Sequence, residues 1–213
     1  MWELMLDGLW DTFYMVSLAV IFAYVVGVPL GIILVITSKG HIKENVWLNK
    51  ILGTVINIGR SLPFIILLVA MIPITRLLVG KAIGTTAATV PLIVGAIPFV
   101  ARMVESSLKE IPWGVIEASL AMGASPWQII KKVLLPEAMP SLVLGATITT
   151  ITLIGYSAMA GFVGGGGLGD IAVRYGFYRY KTDVMILTIV ILIVLVQVIQ
   201  SFGDYIATRI DKR

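Results

Sequence analysis

The chain has 213 residues, of which 58% are hydrophobic and 13% charged, with no cysteine and a single histidine, His41. Soluble domains carry roughly a quarter charged residues, so this composition, with a mean hydropathy of +0.99, excludes a water-facing globular protein and indicates a membrane protein. Disulfides, thiolate metal sites and histidine-rich metal sites are also excluded, and the net charge of +4 predicts a positively charged cytoplasmic face.

Five stretches are apolar and long enough to cross the hydrocarbon core, which takes about 20 residues of α-helix. We predict spans at about 13–36, 62–79, 82–101, 140–163 and 184–202. The expected fold class is therefore an all-α integral membrane protein with five transmembrane helices. Four prolines inside the spans predict bends in their helices: Pro29, Pro73, Pro91 and Pro98.

The basic residues predict the orientation of these spans. Of the 16 Lys and Arg residues, 11 fall on one side of the predicted membrane and 5 on the other. Because cytoplasmic loops carry the excess of Lys and Arg, we expect the N-terminus outside and the C-terminus in the cytoplasm. Glu3, Asp7 and Asp11 precede every basic residue, so we expect no cleaved signal peptide.

The longest segment outside the spans is a loop at about 102–139, on the predicted cytoplasmic side. It is too short for an ATP-binding domain, and the chain contains no GxxxxGK[ST] phosphate-binding loop. We therefore expect one transmembrane domain over residues 1–213, with this loop attached. Transport against a gradient would need energy from a partner or from an ion gradient.

Two short helices are predicted within this loop. Pro112 is suited to the first turn of a helix, and Gly123 is suited to the left-handed conformation just past its end. Ser125 and Gln128 form a capping-box pattern that opens a second helix, and Pro136 is expected to end it. This pattern alone fits a rigid docking element and a connector on the membrane surface equally well.

The same loop resembles the EAA signature of permease subunits of ATP-binding-cassette importers. The matching residues are Glu117, Ala118, Gly123, Leu135 and Pro136, with Ser119 and Val133 as conservative replacements. The resemblance implies that the loop is a coupling helix, which docks into the ATPase subunit and converts nucleotide-driven closure into motion of the membrane helices. The implied coupling residues are Glu117, Ala118, Ser119, Gly123 and Ala124.

Other segments extend the resemblance over nearly the whole chain. Residues 60–68 resemble the start of the second helix in amino-acid permeases of this superfamily, and residues 97–105, 155–161 and 163–169 resemble methionine-uptake permeases. The family implies a type I importer permease fold, a homodimer, two ATPase subunits and an extracytoplasmic methionine-binding lipoprotein. It also implies the bacterial inner membrane. No cofactor is expected on this chain, and ATP and Mg²⁺ would bind to the partner ATPase.

The fourth span is the best candidate to line a solute path on the two-fold axis of a dimer. No Asp, Glu, Lys or Arg lies between Ser141 and Val163, so a net-neutral zwitterion could pass without being held strongly. Hydroxyl side chains recur along the span: Thr147, Thr149, Thr150, Thr152, Tyr156 and Ser157. Met159 could form an apolar gate, although for Met159 and Tyr156 ordinary helix packing is an equal alternative.

Four further features have a functional and a structural interpretation. The glycines at 164–169 favour a turn at the outer end of the fourth span over a phosphate-cradling loop. For Arg60, snorkelling to the membrane surface or capping of neighbouring carbonyls is favoured over a contact with substrate. Arg102 and Glu105 are spaced to pair on one helix face, and His41 is predicted to be a loop residue with no site role.

Three classes of function remain: an importer permease that is not itself an enzyme, an ion-coupled transporter, and a membrane-embedded enzyme. An ion-coupled transporter normally needs carboxylates inside its spans, whereas Asp183 and Asp204 lie at helix ends. An enzyme needs clustered chemical groups, and Glu105, Glu110 and Glu117 have no metal-ligand partner. The sequence and the resemblance therefore favour a methionine permease. Another amino acid is the alternative substrate, and the sequence does not distinguish D-methionine from L-methionine.

Overall fold

The computed structural model describes residues 1–211, and within that range every regular element is a helix. The α-helices are α1 (Trp2–Ile36), α2 (Val46–Ser61), α3 (Phe64–Ala70), α4 (Ile72–Val79), α5 (Thr85–Lys109), α6 (Trp113–Ala121), α7 (Pro126–Ile129), α8 (Leu135–Glu137), α9 (Met139–Ala160), α10 (Gly167–Ile171) and α11 (Thr182–Ile210). π-Helical turns at Ile130–Leu134 and Ala172–Phe177 and a 3₁₀ turn at Gly161–Val163 complete the chain.

Within the described residues, four helices are long and apolar enough to span a membrane: α1, α5, α9 with its 3₁₀ extension, and α11. A fifth arises only if a bent pair is counted, because α2 and α3 meet at an angle of 97°. The predicted span at 62–79 consists of two helices, α3 and α4, and not of one continuous helix. Leu62 is extended before Pro63, as the residue preceding a proline prefers, and Met71 separates α3 from α4.

Three spans are longer than predicted. Helix α1 begins at Trp2, α5 continues to Lys109 inside the predicted loop, and α11 continues to Ile210. Hydropathy marks only the apolar part of a helix, whereas polar turns can extend it into water. Pro29, Pro91 and Pro98 lie inside helices as predicted, but Pro73 lies in the first turn of α4, where proline is tolerated.

Helices α1 and α5 form the centre of the core, and glycines let them approach closely. A Cβ placed at Gly27 would lie 2.7 Å from Val100 Cβ, and one placed at Gly31 would lie 2.7 Å from Val104 Cβ. Membrane helices pack through such small residues because no solvent drives them together. Helix α5, which leads into the α6–α8 segment, is thus packed tightly against the first span.

The glycine-rich segment after α9 folds back against α1 instead of forming an open loop. The Leu168 N–H donates to Thr12 Oγ1 at 2.9 Å, and Gly167 has φ +77°. A Cβ at Gly161 would lie 2.3 Å from the Asp170 backbone nitrogen. These glycines permit close backbone packing, which agrees with the predicted turn and gives no support to a phosphate-cradling loop.

Candidate coupling loop and translocation surface

Helix α6, the first helix of the loop that follows α5, ends in a Schellman motif at Gly123. This glycine has φ +78°, and its N–H donates to the Leu120 carbonyl at 2.9 Å. The Ala124 N–H donates to the Ser119 carbonyl at 3.1 Å. Both bonds satisfy carbonyls at the helix end. The left-handed backbone conformation at residue 123 is one that favours glycine. The predicted helix end at Gly123 is confirmed.

The second helix begins with the predicted capping box. The Gln128 N–H donates to Ser125 Oγ at 3.4 Å, and the Ser125 N–H donates to Gln128 Oε1 at 2.8 Å. Pro136 does not end this helix, contrary to the prediction. The helix widens into the π turn Ile130–Leu134 and continues through α8, because the wider turn accommodates a proline that lacks an N–H donor.

Helix α6 has one face against the protein and one face open. Ile116 and Ser119 are buried, and Ser119 Oγ donates to the Val115 carbonyl at 2.8 Å. Glu117 and Ala118 are exposed, and Glu117 has no ion pair or hydrogen-bonding side-chain contact within residues 1–211. Of the five implied coupling residues, Ser119 therefore faces the core of its own chain, while Ala124 is half-buried and Gly123 is exposed.

An apolar surface surrounds Glu117 on the open face of α6 and the adjoining turn. Met122 is 81% exposed, and the other exposed apolar side chains nearby in sequence are Trp113, Val115, Leu120 and Trp127. Exposed apolar patches on a segment outside the spans mark protein interfaces. Sequence reasoning missed these residues individually, because apolar residues in a membrane protein carry little information until the segment is known to lie outside the bilayer.

The loop that follows α1 contacts the start of α6 through His41. Its ring meets the Trp113 ring edge to face, with centroids 5.4 Å apart and planes at 69°. Burial lowers the pKa of His41 below its ordinary value of 6.5, and within the described residues His41 Nδ1 has no hydrogen-bond partner. His41 is thus a loop residue, as predicted, and it contacts the first residue of α6.

A charged network joins α5 to α2 just before the loop. Arg102 pairs with the buried Glu105, as predicted, and Lys109 Nζ lies 2.7 Å from the other Glu105 oxygen. Arg102 Nη2 also donates to Asn57 Oδ1 at 2.8 Å and to the Gly53 carbonyl at 3.2 Å. The network therefore fixes the C-terminal half of α5 to the amphipathic helix α2.

The predicted path residues on α9 do not all share one environment. Tyr156 stacks on Phe64 of α3, with ring centroids 4.4 Å apart and planes at 3°, and Met159 is 44% exposed. Ser157 is buried, and its Oγ donates to the Ile154 carbonyl at 2.8 Å. Met159 is therefore exposed in this protomer, Tyr156 is half-buried against Phe64, and Ser157 is internal.

The threonines of α9 satisfy their hydroxyls on their own helix. Each donates to the carbonyl four residues earlier: Thr147 to Val143, Thr149 to Gly145, Thr150 to Ala146, and Thr152 to Ile148. Such bonds remove the donor from any solute path, leaving a surface of low polarity. Gly155 is exposed, and a Cβ there would meet no atom of the described chain within 4 Å.

Known proteins share this sequence and architecture. The family model for the binding-protein-dependent transport system inner membrane component matches residues 27–212. The probable D-methionine transport system permease protein MetI of Vibrio cholerae is 58% identical over 211 residues, covering 99% of this chain and 94% of that protein. The probable permease of the same name from Haemophilus influenzae is 46% identical, with 100% of both chains covered.

Solved structures agree with these relatives. A chain from the inward-facing MetNI methionine ABC transporter superposes with a TM-score of 0.97 at 53% identity, covering 100% of this chain and 98% of that one. An amino acid ABC transporter with histidines superposes with a TM-score of 0.79 at 19% identity, which shows the shared fold. The predicted type I importer permease fold is confirmed, and the chain belongs to the binding-protein-dependent transport system inner membrane component family.

Proposed function

We propose that this chain is the permease subunit of an ATP-driven importer and forms the path for methionine across a bacterial inner membrane. The relatives at 58% and 46% identity are named as methionine permeases, and the chain superposing at a TM-score of 0.97 comes from a methionine ABC transporter. The chain itself is not an enzyme. A separate ATPase subunit binds ATP and Mg²⁺ and carries out hydrolysis.

The open face of α6 is the observation that most directly supports ATP coupling. A rigid helix closed by a Schellman motif presents exposed apolar side chains near Glu117, whose carboxylate has no partner within residues 1–211. We propose that Glu117, Ala118, Gly123 and Ala124 contact the ATPase, and that Ser119 positions α6 from its inner face. The loop at about 102–139 is then the coupling part of a single permease domain over residues 1–213.

The proposed topology has five spans, with α3 and α4 together forming the second. The N-terminus lies outside and the C-terminus in the cytoplasm, which places the basic end of α5 and the α6–α8 segment on the cytoplasmic side. Helix α2 then lies along the membrane surface, since its axis turns by 97° into α3.

A homodimer completes the path, because five spans enclose a solute poorly. Tyr156 and Met159 face the two-fold axis, with the exposed backbone of Gly155 one turn before Met159, and Met159 acts as an apolar gate. Ser157 lies behind this surface, where its hydroxyl donates to a carbonyl of its own helix. Two ATPase subunits bind on the cytoplasmic side, and an extracytoplasmic lipoprotein delivers methionine from the other.

Reconstitution tests the proposal. The permease and its ATPase are placed in liposomes with the binding protein on the outer side, and uptake of labelled L-methionine is followed, with competition by D-methionine and a panel of other amino acids. We expect uptake only with internal ATP and with the ATPase present. Uptake driven by a proton or sodium gradient without the ATPase would contradict the proposal. Stronger competition by another amino acid would identify that amino acid, and not methionine, as the substrate.

A further inference from the structure

A cavity of about 100 Å³ lies where the α2–α3 corner faces α5 and α9. Its walls include Arg60, Phe64, Leu67, Gly95, Phe99 and Tyr156. Sites for drug-sized ligands have volumes of roughly 300 Å³ or more, so this cavity suits only a small side chain. It combines one cation, three aromatic rings and a phenol hydroxyl.

Arg60 is the unpaired cation of this cavity. It lies in the last turn of α2, is exposed, and within residues 1–211 makes no ion pair or hydrogen bond. Arg102 and Arg174, by contrast, each pair with a carboxylate three or four residues away in the sequence. A guanidinium presents a planar fork of donors that fits a carboxylate in two parallel hydrogen bonds.

The aromatic walls suit a thioether chain. Phe64 and Tyr156 stack in parallel, and Phe99 lines the same space from α5. Sulfur of a thioether packs favourably near aromatic ring edges, and an ammonium group is attracted to a ring face. Gly95 keeps the space open, because a Cβ there would lie 3.2 Å from Leu67 Cδ2 and 3.6 Å from Phe64 Cδ2.

We propose that this cavity is a transit site for the transported amino acid, in which Arg60 binds the α-carboxylate and the rings receive the thioether side chain. Tyr156 joins the cavity to the accessible surface of α9. The inference rests on the proposed function and adds a contact to it. Because the Arg60 side chain is exposed, its hold on the carboxylate is weak, as a site that must release its ligand requires.

The test uses the whole transporter with its ATPase, in nanodiscs and without the binding protein. Binding of labelled methionine is measured in competition with methioninol, which lacks the carboxylate. For the wild type we expect methionine to bind about tenfold more tightly than methioninol, the loss typical of one charge-assisted hydrogen bond. Arg60→Gln should abolish this preference, and Arg60→Lys should keep part of it.

Arg76→Gln is the matched control. Arg76 is also an exposed arginine without an ion pair in the described part of the chain, but it lies on α4 away from the cavity. It should keep the wild-type preference. Gly95→Ala narrows the cavity without touching charge, and should weaken methionine and methioninol equally. This second variant tests the cavity even if Arg60→Gln disturbs folding.

The outcomes separate this inference from the proposed function. An unchanged preference in Arg60→Gln, or an equal loss in Arg76→Gln, overturns the transit site even if ATP-driven methionine uptake proceeds. A defect of Arg60→Gln that depends on anionic lipid content and leaves the methionine preference intact assigns Arg60 to a lipid phosphate, and also overturns it. Failure of the wild type to take up methionine with ATP refutes the proposed function instead.

Discussion

Gly123→Ala should loosen α6 through backbone strain alone. A Cβ at Gly123 would meet no atom of the described chain within 4 Å, so the substitution creates no clash. Its φ of +78° is left-handed, which costs an L-residue about 1–2 kcal/mol. Gly114 is the matched control, because a Cβ there is equally unobstructed within residues 1–211 but the residue lies inside α6. Gly114→Ala should stabilise the helix by up to about 1 kcal/mol.

Hydrogen–deuterium exchange of the permease in detergent measures this difference. Where α6 opens locally, a cost of 1–2 kcal/mol should speed exchange of its amides by about 5- to 30-fold in Gly123→Ala, whereas Gly114→Ala should slow it. Amides of α9 should be unaffected in both. Unchanged α6 exchange in Gly123→Ala would refute the claim that the Schellman motif holds this helix closed, and faster exchange in Gly114→Ala would show that a methyl group by itself disturbs the loop.

Three other predictions concern charged groups near the loop. Glu117→Lys should abolish ATP-driven uptake and weaken ATPase association without affecting membrane insertion, whereas Glu117→Gln should keep most of the uptake and of the association. Uptake assays and co-purification check this, and normal transport by Glu117→Lys would remove the coupling role. Glu105→Gln should destabilise the permease by about 2 kcal/mol, because it leaves the half-buried Arg102 without its carboxylate; an unchanged unfolding midpoint would contradict this. Since burial lowers the pKa of His41 below 6.5, its neutral form stabilises the fold above that pH, and stability should fall as pH drops through the lower folded pKa. His41→Phe, which keeps a ring against Trp113, should remove that part of the acid sensitivity in thermal unfolding, and an identical pH profile in both proteins would refute it.

Local signals predicted the loop well, and the membrane segments less well. Gly123 and Ser125 were informative because a Schellman end and a capping box are each determined by a few neighbouring residues. Pro136 misled because its effect depends on whether the preceding turn can widen, which the π turn at Ile130–Leu134 allows. The predicted second span begins at Leu62, beside the corner at Pro63, whereas helix α2 before the corner was not predicted, and the break at Met71 was missed because hydropathy continues across it.

Side-chain direction accounts for most of the remaining differences in the site. Ser119 and Ser157 belong to the expected functional segments, yet both are buried and donate to carbonyls of their own helices. Which face of an all-apolar helix turns inward cannot be read from hydropathy when lipid and core are equally apolar. The cavity at Arg60 could not be predicted from the sequence either. It forms only because the 97° corner brings α2 beside α9.

The unbroken length of α5 has a mechanical consequence. Its 25 residues extend about 37 Å at 1.5 Å per residue, and only three residues separate its end from α6. A tilt of about 5° about one end would displace the other by about 3 Å, enough to change which side chains touch across an interface. Because Arg102 fixes α2 to this helix, the corner that carries Phe64 would be drawn along. A small push on α6 can thus be amplified by leverage, without any hinge inside the loop.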